Sequence, residues 1–282
     1  MTLSSENLVI MVGGASSRMK RSLENSDLSD TIKNIAQKLH KSLIPLGEAG
    51  RPLLYYLIKN AAAAGYKQVY LITSPENEGF KSLVGKKDRN NYYEDVSVHF
   101  AIQTTPGGRK KPLGTADALQ QCLEQYTELK STAFTVCNGD NLYSVGALKD
   151  LNRSRDVPNA LIGYSSSGLQ FSDERISKFA LIDISPDGFL KGIVEKPDVS
   201  QIESYRDTSG ELRVSMNIFS FHGKEIYPYL ENCPIHPQRN EKELPEAVCQ
   251  LVADGPRRVF CYPRSEYIPD LTNADDIAHF KK

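Results

Sequence analysis

The most constraining feature of the chain is an apolar run, residues 8–12, that ends directly at Gly13 and Gly14. A continuous apolar run of this length is typical of a strand that is buried on both faces, as in a parallel sheet. The two glycines let the backbone turn sharply and come close to a ligand, because they carry no side chain. We therefore predict a buried first strand with a tight loop at its carboxyl end.

Strand and helix patterns alternate after this first run. Further strands are predicted at residues 68–73, 96–102 and 133–137, with helices beginning at Pro52 and covering residues 115–125. Residues 20–40 are polar and predict an inserted loop with one short helix at residues 30–39. This alternation favours an α/β fold in which a mostly parallel sheet carries helices on both faces.

The second half of the chain is richer in strand patterns. Strands are predicted at residues 179–184, 189–194, 213–221 and 257–262, with helices at residues 243–253 and 273–280. The sequence shows no internal repeat and no long linker. We therefore expect a single domain over residues 1–282, with one half at about 8–145 and a second at about 146–282.

Composition argues against several classes of function. The 282 residues include 34 Lys and Arg against 35 Asp and Glu, and a formal charge of −1 does not predict nucleic-acid binding. No apolar run approaches a membrane span and the N-terminus lacks a signal-peptide pattern, so we expect a cytoplasmic protein. The five cysteines are scattered without a C-x-x-C pair, which favours reduced thiols over disulfides or a metal cluster.

The loop after the first strand is the first candidate site. It follows Val12 and reads Gly13, Gly14, Ala15, Ser16, Ser17 and Arg18. Backbone N–H groups exposed in such a loop can bind phosphate oxygens, and an arginine adds a charged fork that matches phosphate geometry. The competing interpretation is a tight turn with a surface arginine, and the loop by itself leaves both open.

Two aspartates are candidate metal ligands. Asp140 follows the strand at residues 133–137, at the sheet edge where parallel α/β folds bind ligands. Mg²⁺ takes one or two carboxylates together with phosphate oxygens, so Asp140 suits such a site, with Asp270 as a second ligand. The alternative is that Asp140 forms a turn or caps a helix, and that Asp270 caps the last helix.

A third candidate lies at the end of the strand at residues 189–194. Glu195 could accept hydrogen bonds from sugar hydroxyls, and the adjacent Lys196 could hold a phosphate. The alternative is a surface salt pair in front of Pro197.

The order of these motifs is more specific than any one of them. The chain carries in succession a Gly-Gly…Arg loop, a glutamine before a Leu-Gly-Thr-Ala segment, Gly-Asp, Val-Glu-Lys-Pro and a late Asp-x-Thr. Over about residues 8–280 it resembles the sugar-nucleotidyltransferase family, which includes glucose-1-phosphate thymidylyl-, uridylyl-, cytidylyl- and adenylyltransferases. Lys41, Leu43 and Pro45 match the family's P-K-x-L-x-P segment. The resemblance implies a three-layer α/β/α, Rossmann-like fold of the GT-A type.

The resemblance also implies a role for each matching residue. It assigns the first half to a nucleoside triphosphate and the second half to a sugar 1-phosphate. It implies that Arg18, Lys41 and Lys196 are catalytic and that Asp140 and Asp270 bind Mg²⁺. The residues implied in nucleotide binding are Val12, Gly13, Gly14, Ala15, Ser16, Ser17, Arg18, Gln103, Gly114 and Thr115, and those in sugar-phosphate binding are Ala180, Glu195, Lys196 and Asn217. Within the first set, Gln103 matches the family residue that hydrogen-bonds the base.

The reaction implied is a direct displacement, in which the sugar 1-phosphate attacks the α-phosphorus and pyrophosphate leaves. A phosphate nucleophile is already ionised at neutral pH, so positioning and charge neutralisation would supply the catalysis. The partners implied are a nucleoside triphosphate and a sugar 1-phosphate. The sequence leaves the oligomeric state open between a monomer and a homo-oligomer, and composition predicts neither nucleic acid nor a membrane as a partner.

The sequence departs from the family pattern at several positions. Ser16-Ser17 replaces Gly-Thr, His40 replaces a proline, and the spacer from Arg18 to Lys41 is longer than usual. Ala180 and Leu271 each stand where the family has glycine.

Three alternatives to the sugar branch remain open. A cofactor guanylyltransferase, such as one acting on molybdenum cofactor, shares the loop, although Glu195-Lys196-Pro197 favours the sugar branch. A glycosyltransferase usually carries Asp-x-Asp, whereas this chain has Gly139-Asp140-Asn141. The departures also suit a catalytically silent regulatory subunit, against which the joint retention of the charged residues argues.

Overall fold

Strands and helices alternate along the chain, in the general order that the sequence predicts. The computed structural model describes residues 5–171, 173–195, 197, 199–278 and 280. The strands are β1 (Asn7–Met11), β2 (Pro45–Leu46), β3 (Arg51–Pro52), β4 (Gln68–Thr73), β5 (Asn91–Tyr93), β6 (Val96–Ile102), β7 (Ala133–Asn138), β8 (Asn159–Ser165), β9 (Ala180–Ile184), β10 (Leu190–Val194), β11 (Arg213–His222) and β12 (Val259–Arg264). The helices are α1 (Ser17–Ser22), α2 (Asp30–Lys38), α3 (Leu53–Ala63), α4 (Glu78–Val84), α5 (Thr115–Gln125), α6 (Val145–Asn152), α7 (Ser166–Leu169), α8 (Asp173–Ile176), α9 (Gly223–Glu231), α10 (Leu244–Ala253) and α11 (Ala274–Ala278).

A mixed sheet of ten strands forms the centre of the described structure. Its order is β10-β9-β11-β7-β1-β4-β6-β5, and β8 pairs with both β11 and β12. The strands β7, β1, β4 and β6 run parallel, whereas β11 runs antiparallel to β7, β8 and β9. Because β7 pairs with β11, the sheet extends through both predicted halves of the chain.

The first strand is buried from both sides, which explains its continuous apolar sequence. Leu8 and Ile10 are fully buried in one core with residues of α3 and α6, whereas Val9 is fully buried in a second core with residues of α5, α9 and α10. Successive strand residues point to opposite faces, so the sheet separates two helical layers. The predicted α/β fold, with a mostly parallel mixed sheet and helices on both faces, is confirmed. No helix in the described part of the chain is long and apolar enough to cross a bilayer.

The sequence prediction omitted β8, α6 and α9 and simplified the insertion. β8 lies between β11 and β12, and every residue in it is buried. α9 contains Pro228, which argues against a helix at the sequence level. The region 20–40 contains the end of α1 as well as α2, so it holds two helices rather than the single one predicted.

Other predicted bounds shift by a few residues. Val12 lies one residue beyond β1, and Pro52 is the N-cap of α3 rather than its first residue. The closing helix is shorter than predicted, because α11 covers Ala274–Ala278.

Candidate active site

A cavity of about 650 Å³ opens at the carboxyl ends of the central parallel strands. β1 and β7 are neighbours, so the turns that follow them lie side by side at this edge. Open parallel sheets bind ligands at this edge. The lining includes six residues selected from the sequence, Arg18, Asp140, Ala180, Glu195, Asn217 and Asp270.

The loop after β1 packs directly on the turn after β7. Gly139 permits this contact, because a Cβ at that position would lie 2.2 Å from Cγ1 of Val12. The Gly139 N–H also donates to the carbonyl of Met11 at 3.0 Å. A Cβ on Gly14, by contrast, would meet no described atom within 4 Å, so the outer side of the loop is open there. The two turns therefore form one surface on which a ligand can approach the backbone.

Lys41 reaches this surface from the far end of the insertion. Its backbone N–H donates to Oγ of Ser16 at 3.1 Å, and its Nζ forms an ion pair with Asp140. Ser16 has a left-handed backbone conformation, with φ of 55°, where the loop turns into α1. The long spacer therefore does not separate Lys41 from the glycine loop.

His40, which precedes Lys41, caps a short 3₁₀ turn at Lys41–Leu43. Its Nδ1 accepts a hydrogen bond from the N–H of Ser42 at 3.2 Å. Burial, followed by the neighbouring charge of Lys41, lowers the pKa of His40 to about 4. The imidazole is therefore neutral at neutral pH and acts as a local capping group.

Asp140 and Asp270 lie on two backbone segments that pair with each other. Asn141 and Asp270 form an antiparallel bridge. The Leu271 N–H donates to the carbonyl of Asp140 at 2.8 Å, and the Leu142 N–H donates to that of Pro269 at 2.9 Å. This pairing brings together two carboxylates that are 130 residues apart in the sequence.

The carboxylate of Asp270 is buried and surrounded by donors. It accepts hydrogen bonds from Nδ2 of Asn141 at 3.1 Å and from Oγ1 of Thr272 at 2.9 Å, and Nη2 of Arg175 lies 2.7 Å from its Oδ2. Burial, followed by the negative charge of Asp140, raises the pKa of Asp270 above its ordinary value. Desolvation disfavours the ionised form, so a cation at this position stabilises the carboxylate.

The donor set fits Mg²⁺ bound together with a phosphate ligand. The described residues contain no group of three or more His, Cys, Asp or Glu side chains that could hold a metal on their own. Mg²⁺ is commonly bound by one or two carboxylates, with phosphate oxygens and water completing an octahedron. Asp140 and Asp270 meet that requirement, and each of them faces a protein cation in this structure.

The cavity is also lined by Ala180, Glu195 and Asn217, and Asn217 lies near the turn after β7 because Ile218 pairs with Cys137. Asn217 lies in β11 with a positive φ of 52°, where the pairing with β8 shifts register between Ser215 and Phe219. Such a bulge re-aims a side chain, and asparagine tolerates left-handed conformation better than most residues. Lys196 lies outside the described residues.

Two cavity arginines were missed by the sequence analysis. Arg175, on α8, forms ion pairs with Asp270 and with Asp276, the second at 2.7 Å. Arg239 forms ion pairs with Glu195 and Glu243. No local pattern marks either arginine, because their partners are mostly far away in the sequence.

The predicted base contact, Gln103, lies beside the glycine loop, and neither it nor Gly114 or Thr115 is among the residues that line the cavity. A Cβ on Gly13 would lie 3.6 Å from Oε1 of Gln103, so the amide oxygen of Gln103 faces the loop. Nε2 of Gln103 donates to the carbonyl of Gly114 at 3.0 Å. Oγ1 of Thr115 accepts from the N–H of Leu244 at 2.9 Å and is thus engaged within the protein.

Comparison with known proteins extends this picture. Two curated relatives are bifunctional GlmU proteins. The one from Staphylococcus haemolyticus is 23% identical over 251 residues, which is 88% of this chain and 46% of the relative. The one from Staphylococcus epidermidis is 22% identical over 214 residues, which is 76% of this chain and 42% of the relative. The chain therefore spans about half the length of the curated relatives it matches.

A solved structure and a family model match almost the whole chain. A UDP-glucose pyrophosphorylase complexed with UDP-glucose superposes with a TM-score of 0.70 at 15% identity, covering 97% of this chain and 96% of the other. That likeness supports the same fold. The family model described as nucleotidyl transferase matches residues 8–281. The chain therefore belongs to the nucleotidyl transferase family.

Proposed function

We propose that the chain transfers a nucleotidyl group from a nucleoside triphosphate to a sugar 1-phosphate and releases pyrophosphate. The observation that carries the proposal is that one cavity is lined by Arg18, Asp140 and Asp270 and also by Glu195 and Asn217. The family match supports nucleotidyl transfer, and the likeness to a pyrophosphorylase bound to UDP-glucose supports a sugar-nucleotide product.

The residues that line the cavity suit both substrates. Arg18 and the open side of the glycine loop suit the triphosphate, because arginine and backbone N–H groups both bind phosphate oxygens. Glu195 offers carboxylate oxygens and Asn217 offers an amide, and both groups can form hydrogen bonds with sugar hydroxyls. The phosphate of the sugar would then lie between these two groups of residues, close to the α-phosphorus.

The chemistry proposed is a displacement at the α-phosphorus. A bond forms between a phosphate oxygen of the sugar 1-phosphate and the α-phosphorus, while the bond to the β-bridging oxygen breaks and pyrophosphate carries the electron pair away. The nucleophile is already ionised, so the side chains need only bring two anions together and neutralise their charge. Lys41 and Arg18 are two of the described cations near the cavity that suit this task, and Mg²⁺ held by Asp140 and Asp270 would supply further charge neutralisation.

The proposal is tested by measuring pyrophosphate release with each nucleoside triphosphate against a panel of sugar 1-phosphates in the presence of Mg²⁺. We expect turnover with at least one pair. Asp140→Asn should lower kcat/KM by about 10²–10³-fold, the scale seen when one group that stabilises transition-state charge is removed. Asp183→Asn, which breaks a surface ion pair with Lys191, is the matched control and should keep full activity.

Two results would contradict the proposal. Nucleotide binding without turnover for any pair would favour a silent regulatory subunit. Turnover only when a cofactor phosphate such as molybdopterin replaces the sugar 1-phosphate would favour the cofactor guanylyltransferase, which shares the glycine loop.

A further inference from the structure

The side chain of Gln103 is held in one orientation by the protein itself. It is buried, and its Nε2 donates both to the carbonyl of Gly114 at 3.0 Å and to Oδ2 of Asp117 at 2.9 Å. An amide NH₂ has two donors, so both are used. A flip of the amide would place Oε1 against a carbonyl and a carboxylate, neither of which can donate a hydrogen bond in its ordinary state.

Asp117 is itself fixed by a ladder of side chains along one face of α5. Oε1 and Nε2 of Gln125 bond the N–H and carbonyl of Ile102, each at 2.9 Å. Gln121 accepts from the N–H of Thr104 at 2.9 Å and donates to its carbonyl at 3.2 Å. Gln121 also donates to Oδ2 of Asp117 at 2.9 Å.

The ladder joins α5 to the segment that carries Gln103. Residues 117, 121 and 125 are spaced four apart, so their side chains lie on one helix face. Gln121 and Gln125 hold the backbone on either side of Gln103, while Asp117 holds its side chain. Asp117 is 7% exposed. Buried polar side chains are as a rule hydrogen-bonded, and Asp117 accepts from both Gln103 and Gln121.

We propose that Asp117 is a positioning residue that fixes Gln103 as a hydrogen-bond acceptor toward the nucleotide base, so that the accepted base must donate an N–H to Oε1. The inference rests on the proposed function and names what that site requires of its triphosphate. A free amide could pair with either a donor or an acceptor on a base, whereas this amide has only its oxygen left. That oxygen faces Gly13 in the glycine loop.

The first test compares Asp117→Leu with the parent by titration calorimetry in the presence of Mg²⁺. The ligands are the triphosphate that binds best, the other common nucleoside triphosphates, and inorganic tripolyphosphate, which has no base. We expect the variant to bind the best triphosphate about tenfold more weakly, to discriminate less among bases, and to bind tripolyphosphate as the parent does. An unchanged preference among bases would overturn the proposal.

The matched control is Glu124→Leu. It removes a carboxylate from the same helix, where Glu124 is exposed and accepts from Nε2 of Gln120 at 2.9 Å. We expect the control to keep both the affinity and the base preference of the parent. A loss of base preference in this control equal to that in Asp117→Leu would attribute the effect to the helix rather than to Gln103, and would overturn the proposal.

The second test needs no variant and therefore does not depend on folding. The parent protein is titrated with the best triphosphate and with an analogue whose pairing-edge N–H groups carry methyl groups instead. We expect the methylated analogue to bind at least tenfold more weakly, and equal binding would overturn the proposal. If no triphosphate binds at all, the proposed function fails as well, whereas binding without an effect of methylation removes only the inference about Asp117.

Discussion

Individual side chains in the site are held by partners that lie far along the chain. Lys41 pairs with Asp140, and Arg175 pairs with Asp270, so each candidate metal carboxylate already faces a protein cation. The family resemblance predicted Lys41, Asp140 and Asp270 in one site, because each residue belongs to a motif that matches the family. It gave no indication of Arg175, because an arginine on a short helix acquires a role only through contacts 95 residues away.

At the same scale, His40 makes stability depend on pH. Its folded pKa of about 4 lies below the ordinary value of 6.5, so its contribution to stability is complete above pH 6.5 and is lost as the pH falls toward 4. The loss is about 1.4 kcal/mol for each pH unit in this window. The other charged groups that act on His40 are Lys41, Asp140 and Lys20.

We therefore expect the parent to lose about 2 kcal/mol more than His40→Asn between pH 7.5 and pH 5. Asparagine does not titrate and can still cap the turn. Denaturant unfolding at both pH values measures the difference, and titration of the other groups cancels between the two proteins. Equal losses in parent and variant would show that His40 is not held neutral by the fold.

At the scale of elements, strand pairing in the sheet brings together residues from separate sequence motifs and so forms the site. The alternation of strands and helices was readable from the sequence because burial on both faces requires continuous apolar runs such as residues 8–12. β8 could not be predicted from the sequence, because Gly163 interrupts its apolar run. That glycine is explained only by the neighbouring strand, because a Cβ there would lie 2.5 Å from Sγ of Cys261.

The bulge in β11 allows two effects of Asn217 to be separated, the effect of its backbone conformation on stability and the effect of its side-chain amide on sugar binding. Asn217 has a φ of 52°, which costs most side-chain-bearing residues about 1–2 kcal/mol but glycine nothing comparable. We expect Asn217→Ala to lower the free energy of unfolding by about 1 kcal/mol, whereas Asn217→Gly should keep it nearly unchanged. Both variants should raise KM for the sugar 1-phosphate, because both remove the amide from the cavity.

Thermal or denaturant unfolding and steady-state kinetics supply the two measurements. If Asn217→Gly kept the parent's KM for the sugar 1-phosphate, the amide would have no part in sugar binding. If Asn217→Ala were as stable as the parent, the bulge would have rearranged to relieve the positive φ.

At the scale of the whole molecule, a strap of hydrogen bonds joins the two predicted halves. The Lys242 N–H donates to the carbonyl of Leu113 at 2.6 Å, and the Ala116 N–H donates to the carbonyl of Lys242 at 3.0 Å. The Leu244 N–H adds a bond to Oγ1 of Thr115 at 2.9 Å. The segment around Lys242 also follows Arg239, which lines the cavity and pairs with Glu195.

Gly114 permits this strap, and its replacement should disturb both substrates at once. It has a φ of 117°, and a Cβ there would lie 2.4 Å from the carbonyl oxygen of Lys242. We expect Gly114→Ala to raise KM for the triphosphate and for the sugar 1-phosphate together. It should also destabilise the fold by about 1–3 kcal/mol more than the same substitution at a positive-φ glycine where the added Cβ meets no atom. Steady-state kinetics and denaturant unfolding measure the two effects.

Gly108→Ala is the control, since Gly108 also has a positive φ, of 82°, but a Cβ there meets no described atom within 4 Å. Equal stability of the two variants, or a change confined to one substrate, would mean that the strap does not couple the binding of the two substrates.

The strap also sets a rule for redesign. A loop taken from a relative with another base preference would arrive at residues 113–116 without the backbone partner that shaped it. Its new carbonyls and N–H groups would face the old segment at residues 242–244 in the wrong register, and the cavity wall attached to that segment would shift with them. A graft that is meant to exchange the nucleotide should therefore carry both segments as one cassette, and it will bring part of the donor's sugar preference with it.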